Sequence, residues 1–434
     1  MTRPAVPGGG GGVRVLRRAD NRQATDDLEL PGPRYGFGVS WKVLPGRGVD
    51  IDLQCVVVDA AGAIIDCAYY NNLKAVRSIT HSGDEAAGKP DGIAEMVWVN
   101  VKRLPPQVRL LVFVVAAYSG GSLGDVADGT LHVMEGSEDC EIALLEMERS
   151  KGCVDVVAAM HRGPGGWSMR LVDLPAQSGQ HFMDILPLLG QVIRGFVPDA
   201  PARQKVAFAM EKGGVVDLPR DLNGITVGLG WDVDDGECDL DVSAVLLDAA
   251  GADLEAVFFG RLESKKHGIR HSGDNLTGEG DGDDEQIVVS LEDVGQQVQQ
   301  VIFVVNIYTP ARTFRQVANP SCRVVDNASG DELCRYSLRD AGSEKGLIIA
   351  RIAREAGGRW GFHALGLPCR GRTWKDSIGD IRRVTAIKTS SLALTRGASS
   401  DSIHSSPAGE SGAPRAPKAA APPPAASSSV CAVQ

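Results

Sequence analysis

The sequence has no long apolar run. Its longest, Leu110 to Tyr118, falls far short of the roughly 20 residues a membrane-spanning helix needs. It also has no C-x-x-C pair. The nine cysteines are scattered and odd in number, which excludes a zinc ribbon or a disulfide framework and suits the reduced thiols of a cytoplasmic protein. Positive charge is scarce. Forty-five Lys and Arg stand against 55 Asp and Glu, for a net charge of -10. Phosphate binding needs clustered cations, so nucleic acid is excluded as a general partner. The segment 1–12 is rich in Pro and Gly and has no apolar centre, so it is expected to be disordered and not a signal peptide. The remaining 43% of hydrophobic residues, spread over 434 positions, suffice for two or three domains with sizeable cores.

The chain repeats itself. Trp41 is matched by Trp231 (231 − 41 = 190), and "HSGD" at 81–84 is matched by "HSGD" at 271–274, again 190 on. "DIDLQCVVVDAAGA" at 50–63 answers "DLDVSAVLLDAAGA" at 239–252, and "LVFVVAAY" at 111–118 answers "VIFVVNIY" at 301–308. A nearly fixed offset over so many features marks a tandem duplication. Within each copy the apolar segments are short, β-branched and bounded by Gly and Asp turns, with no regular strand–helix alternation. This predicts an all-β chain of two tandem β-sandwiches with few short helices. The expected limits are 13–175 for the first sandwich and 205–369 for the second. Residues 176–204 read as a linker with a short packed helix. Residues 370–434 read as a tail, basic and then low in complexity, since Ala, Ser, Pro and Gly cannot build a core. The run "KGLIIARIARE" at 345–355 fits a helix or a strand.

One stretch concentrates charge. "HSGDNLTGEGDGDDE", 271–285, carries Asp274, Glu279, Asp281, Asp283, Asp284 and Glu285, with glycines between them. Alternation along "DLD" puts Asp239 and Asp241 on one side of a strand, and Asp232, Asp234 and Asp235 occupy the preceding turn. Brought together, these acids form a bowl in which each close pair repels by roughly 1–4 kcal/mol unless a cation intervenes. Hard divalent cations take oxygen ligands, and calcium takes six to eight. A solvated charged turn is the plainer alternative, but a dozen residues rarely hold so many acids beside a second acidic strand. An EF-hand does not fit, because Leu276 and Gly278 stand at ligand positions. "GDEAAGKP" at 83–90 is no phosphate loop, because Pro90 replaces the hydroxyl residue. His81 and His271 are expected to pack and hydrogen-bond, since calcium avoids imidazole nitrogen.

"VGLGWDVDDGECDLDVSAVLLDAAG", "HSGDNLTGEGDGDDEQI", "FRQVAN" and "RWGFHALG" together resemble the tellurium-resistance TerD family over most of 205–369. The resemblance implies a two-sheet sandwich holding calcium at one end. It implies ligands at Asp274, Asn275, Asp281, Asp283, Asp284 and Glu285, with Asp232, Asp239 and Asp241 near them. It also implies a cytoplasmic stress-response role, often near the membrane. The first copy departs from the pattern: Lys42, Glu85, Ile93 and Ala94 replace Asp232, Asn275, Asp283 and Asp284. It is expected to bind calcium weakly or not at all and to serve as a structural or partner-binding domain. The expected function is a calcium-binding, non-enzymatic stress or signalling adaptor whose loops meet a protein partner or an anionic membrane surface. The alternative is a divalent-metal-dependent enzyme acting on a phosphorylated or small-ligand substrate. Against it, no Lys, Arg or His lies within 272–285 to stabilise a transition state.

The chain ends "CAVQ", a C-a-a-X pattern that would make Cys431 a prenylation site. A single lipid anchors only marginally. Arg382, Arg383, Lys388, Arg415 and Lys418 are expected to add the electrostatic part of a membrane tether.

Overall fold

The repeated alternation of apolar and polar residues builds four sheets. The computed structural model describes residues 12–18, 27–44, 48–84, 92–118, 121–147, 149–233, 238–273, 283–337, 342–355 and 358–384. In the first repeat a seven-stranded sheet runs Arg14–Leu16, Glu141–Glu146, Val126–Glu135, Arg34–Val43, Glu95–Asn100, Ile79–His81, Lys74–Ala75 from edge to edge. A six-stranded sheet runs Leu28–Leu30, Gly166–Leu171, Val154–Gly163, Val108–Ala117, Ile51–Asp59, Ile64–Ala68. Tyr35, Phe37 and Val39 from the first sheet and Leu53, Cys55, Val57 and Val115 from the second share one core, in which Phe37 stacks on Phe113 with ring centroids 3.9 Å apart. Two sheets closing on one apolar layer make a β-sandwich.

The second repeat reproduces this order strand for strand. Its sheets run Phe208–Met210, Glu332–Ser337, Val317–Asp326, Gly224–Val233, Glu285–Ser290, Ile269–His271, Glu263–Ser264 and Val215–Asp217, Trp360–Cys369, Gly346–Arg354, Gln300–Ile307, Leu240–Leu247, Asp253–Val257. The ambiguous run at 345–355 is a strand, buried on both faces at the centre of its sheet.

Both faces of each six-stranded sheet are apolar, and each outer face carries a helix. In the first repeat Val56, Val58, Leu110, Val112 and Val114 point outward and cluster with Phe182, Leu189, Val192 and Ile193. These come from the turn Phe182–Ile185 and the helix Leu186–Phe196, as expected of the linker. In the second repeat Val245, Leu247, Ile302, Val304 and Ile348 are covered by Ile381, with Trp374, Ile378 and Val384 packed alongside. These lie on a helix at 374–384, inside the segment read from composition as tail and beyond the expected domain end at 369. Trp374, Ile378 and Ile381 follow the i, i+4, i+7 spacing of a helix, but basic neighbours hide it from a compositional reading.

The two helices start alike. Gly179 and Gly371 have φ of +140° and +104°, and a Cβ there would lie 2.8 Å and 2.1 Å from the Cβ of Asp184 and Asp376. Five residues on from each glycine, that aspartate accepts a backbone N–H, from Gln180 at 2.9 Å and from Arg372 at 3.1 Å. The duplicated unit is therefore a sandwich followed by its own covering helix.

Candidate metal centre

The same buried frame stands at one end of each sandwich. In the first repeat the strand Ile51–Asp59 sends Leu53, Cys55 and Val57 into the core, so Asp52 and Gln54 face the other way. Glu95 is fully buried, and its Oε2 accepts the Leu53 N–H at 2.8 Å. His81 Nδ1 accepts the Gly83 N–H at 3.0 Å, which puts the ring proton on Nε2, 3.0 Å from the Leu53 carbonyl and 3.4 Å from Glu95. The second repeat repeats each contact. Glu285 Oε2 accepts the Val242 N–H at 2.7 Å, His271 Nδ1 accepts the Gly273 N–H at 3.0 Å, and His271 Nε2 lies 3.2 Å from the Val242 carbonyl. Both histidines thus brace the frame, as the sequence suggested.

Within the first repeat this frame gathers three carboxylates. Asp52, Asp84 and Glu95 each offer one oxygen, and these oxygens all lie within 4.8 Å of one another. Calcium–oxygen bonds of about 2.4 Å place opposite ligands about 4.8 Å apart, so the group is of the right size. Asp52 is 1% exposed, and its Oδ2 is buried with no hydrogen-bond partner among the described residues. Burial holds its carboxyl well above the usual range, and the negative charges of Glu95, Asp50 and Asp84 add to this. An orphaned, desolvated carboxylate oxygen facing two other acids fits a hard cation.

The second repeat, where the sequence concentrated its acids, divides them. Asp241 and Glu285 take the places of Asp52 and Glu95, 7% and 0% exposed. Asp274, the counterpart of Asp84, lies outside the described residues, as do Asn275, Glu279, Asp281, Asp234, Asp235 and Cys431. Asp239 donates its N–H to Thr309 Oγ1 at 2.8 Å. Asp284 accepts the Trp231 N–H at 2.8 Å; burial raises its carboxyl above the usual value, that bond opposes the shift, and Asp232, Asp283 and Glu285 add to it. Asp232 is exposed and accepts from Asn319 Nδ2 at 2.8 Å.

Asp283 points elsewhere. It lies over Gly228, where a Cβ would come within 2.0 Å of it, and binds Arg323 through two bonds of 2.7 and 3.0 Å. Arg323 also reaches Glu332 at 3.4 Å. A cation from outside 272–285, on the strand Val317–Asp326, therefore reaches the acidic segment. Distance along the chain hid Arg323. The first-repeat group was hidden differently. A charge count weighs every acid equally, whereas the grouped acids are ones present in both copies: Asp52 and Asp241, Asp84 and Asp274, Glu95 and Glu285.

Comparison with known proteins follows the duplication. The TerD domain model matches residues 33–183 and again 206–372. Tellurium resistance protein TerZ of Serratia marcescens is 40% identical over 188 residues, 40% of this chain and 96% of that protein. General stress protein 16U of Bacillus subtilis is 38% identical over 174 residues, covering 37% and 90%. Among solved structures, a homologue of telluride resistance protein from Streptomyces coelicolor is similar at 23% identity, covering 36% of this chain and 95% of that one, with a TM-score of 0.32.

Proposed function

The chain belongs to the TerD domain family, and from that premise we propose that it is a calcium-binding, non-enzymatic adaptor of the stress response. Asp52, Asp84 and Glu95 hold the ion in the first repeat. Asp241 and Glu285, with Asp274, are the matching positions in the second. This departs from the expectation that the first repeat binds calcium weakly or not at all: Lys42, Ile93 and Ala94 stand where acids are lost, while the three grouped acids remain. The observation that carries the reading is Asp52 Oδ2, buried with no hydrogen-bond partner among the described residues and grouped with two further acids. A bound ion supplies the positive charge this end of the sandwich lacks, and so orders the loops that meet a protein partner or an anionic surface.

The relatives named above carry the names of resistance and stress proteins. The enzymatic alternative gains nothing from Arg323, which is already engaged by Asp283 and Glu332. As for the membrane, no helix among the described residues is long and apolar enough to cross one.

Calorimetric titration of the full chain with calcium tests the proposal. Wild type takes up the ion, and D52N loses one site. In chelator D52N melts no lower than wild type, because the substitution also removes a buried repulsion. A wild-type chain that takes up no calcium refutes the function, and an unchanged titration in D52N refutes the assignment of ligands.

A further inference from the structure

The first repeat shows how its own end is covered. The edge strand Ile64–Ala68 is extended by residues 205–207: Ile64 N–H donates to the Lys205 carbonyl at 2.9 Å, and Ala207 N–H to the Ile64 carbonyl at 2.8 Å. Beside it the leading strand Val215–Asp217 of the second repeat closes over Tyr69, Tyr70 and Asn71. Asp217 accepts from Asn71 Nδ2 at 3.1 Å and from the Tyr70 hydroxyl at 3.4 Å. The Tyr118 hydroxyl oxygen lies 3.1 Å from that of Tyr70. The leading strands of one repeat thus seat on the edge of the repeat before it.

In the second repeat no strand pairs with the same edge among the described residues, although Arg382 of the covering helix reaches Asp253 on it and Trp374 packs against Phe258. Asp253–Val257 is the edge strand, and Phe258, Phe259 and Tyr308 stand where Tyr69, Tyr70 and Tyr118 stand. Phe259 is 42% exposed, Tyr308 46% and Leu254 42%. The other large apolar side chains exposed among the described residues are Val13, Val15, and the pair Leu73 and Leu262. Leu73 and Leu262 are counterparts, exposed alike in both repeats, so they do not mark this surface. Val13 and Val15 lie on or beside Arg14–Leu16, the leading strand of the first repeat; Val15 holds the place of Ala209, which is exposed too, whereas Val13 holds the place of Ala207, which bonds the edge strand at the junction. Apart from Leu73 and Leu262, the large apolar side chains exposed among the described residues thus lie at the two ends of the duplication.

We propose that the open edge of the second repeat receives the leading strands of the first repeat of another copy of this chain, in a head-to-tail contact. The internal junction supplies the template. Charge supports it: Glu29, exposed, holds the place of Asp217 on its strand, and Arg372 lies 4.6 Å over the Tyr308 ring on the receiving surface. Three elements of the internal junction are missing. Phe259 and Gly260 replace the donors Tyr70 and Asn71 on the receiving edge. Arg359 binds Asp184 there at 2.7 Å, but Gly166 occupies its place in the first repeat. The contact between chains is therefore the weaker of the two and reversible. It is heterologous, so it propagates instead of closing as a dimer. It does not depend on the cation.

Sedimentation of the full chain over a wide concentration range tests this. The mean mass is expected to rise above the 45.8 kDa of one chain. V13D blocks the head and F259D the tail, so each alone stays at one-chain mass. Mixed, they form two-chain particles and go no further, because each retains one working end. L254D repeats the tail test should F259D melt early. A wild type that remains single at every concentration overturns the proposal, as does a mixture that fails to pair or a single variant that still associates. Association that appears only after residues 385–434 are removed gives the surface to the chain's own tail, and overturns it equally.

Discussion

Asp217 sits fully buried at the junction of the two repeats. Burial pushes its carboxyl up to about 6, and the negative charge of Glu355 adds to the shift, while Arg359, Asn71 and Tyr69 oppose it. In the unfolded chain an aspartate titrates near 3.9. The folded state therefore holds an extra proton between these values. The stability this gives is complete below about pH 4 and is lost as pH rises through about 6. D217N removes that loss. Its stability relative to wild type should improve by roughly 1–3 kcal/mol between pH 4 and 7, measured by urea unfolding across a pH series. Parallel profiles for the two proteins would contradict the assignment. Asp52 and Asp283 make the complementary point. Both are acids of an acidic stretch or strand, yet one is left without a partner and the other is clasped by an arginine. Their environments, not their charges, separate them.

The covering helices differ in what their capping aspartates touch. Asp376 accepts from Arg372 and Thr373 and caps only its own turn. Asp184 does the same for Gln180 and also binds Arg359, whose side chain is 0% exposed. D376A should cost about 1 kcal/mol, the usual value for a lost cap. D184A should cost about 3–5 kcal/mol, because it leaves a buried guanidinium unpaired. Urea unfolding of the two variants checks the contrast, and equal losses would contradict it. Legibility in the sequence divides along the same line. Strands such as 239–248 and 299–309 were evident from short apolar runs closed by turns, and the duplication fixed their number. The helix at 374–384 was not, since three apolar residues among basic ones do not stand out in composition. Nor was the Asp283–Arg323 pair, because which face of a strand an acid takes depends on the register of its neighbours. Of the metal group, Asp52, Asp84 and Glu95 were visible as retained acids, but only burial tells them from the rest.

The outer cluster of the first repeat runs through the covering helix into the core of the second, from Val56 and Val112 through Phe182 and Ile193 to Val227 and Phe303, without interruption. Domains that share so much apolar surface should not unfold apart. Scanning calorimetry of the full chain, in chelator so that bound metal does not split the transition, should show one main endotherm for both sandwiches. Two well-separated transitions would show that the junction is only a contact. The matched placement of a helix behind each sandwich also bears on how such a chain came to be. A unit that brings its own cover behind it, and whose front strands finish the unit before, can be copied in series with neither sheet left bare. The seam that tolerates unequal crossover is the short stretch between Ala200 and Lys205, and a gene cut there gains or loses whole working blocks.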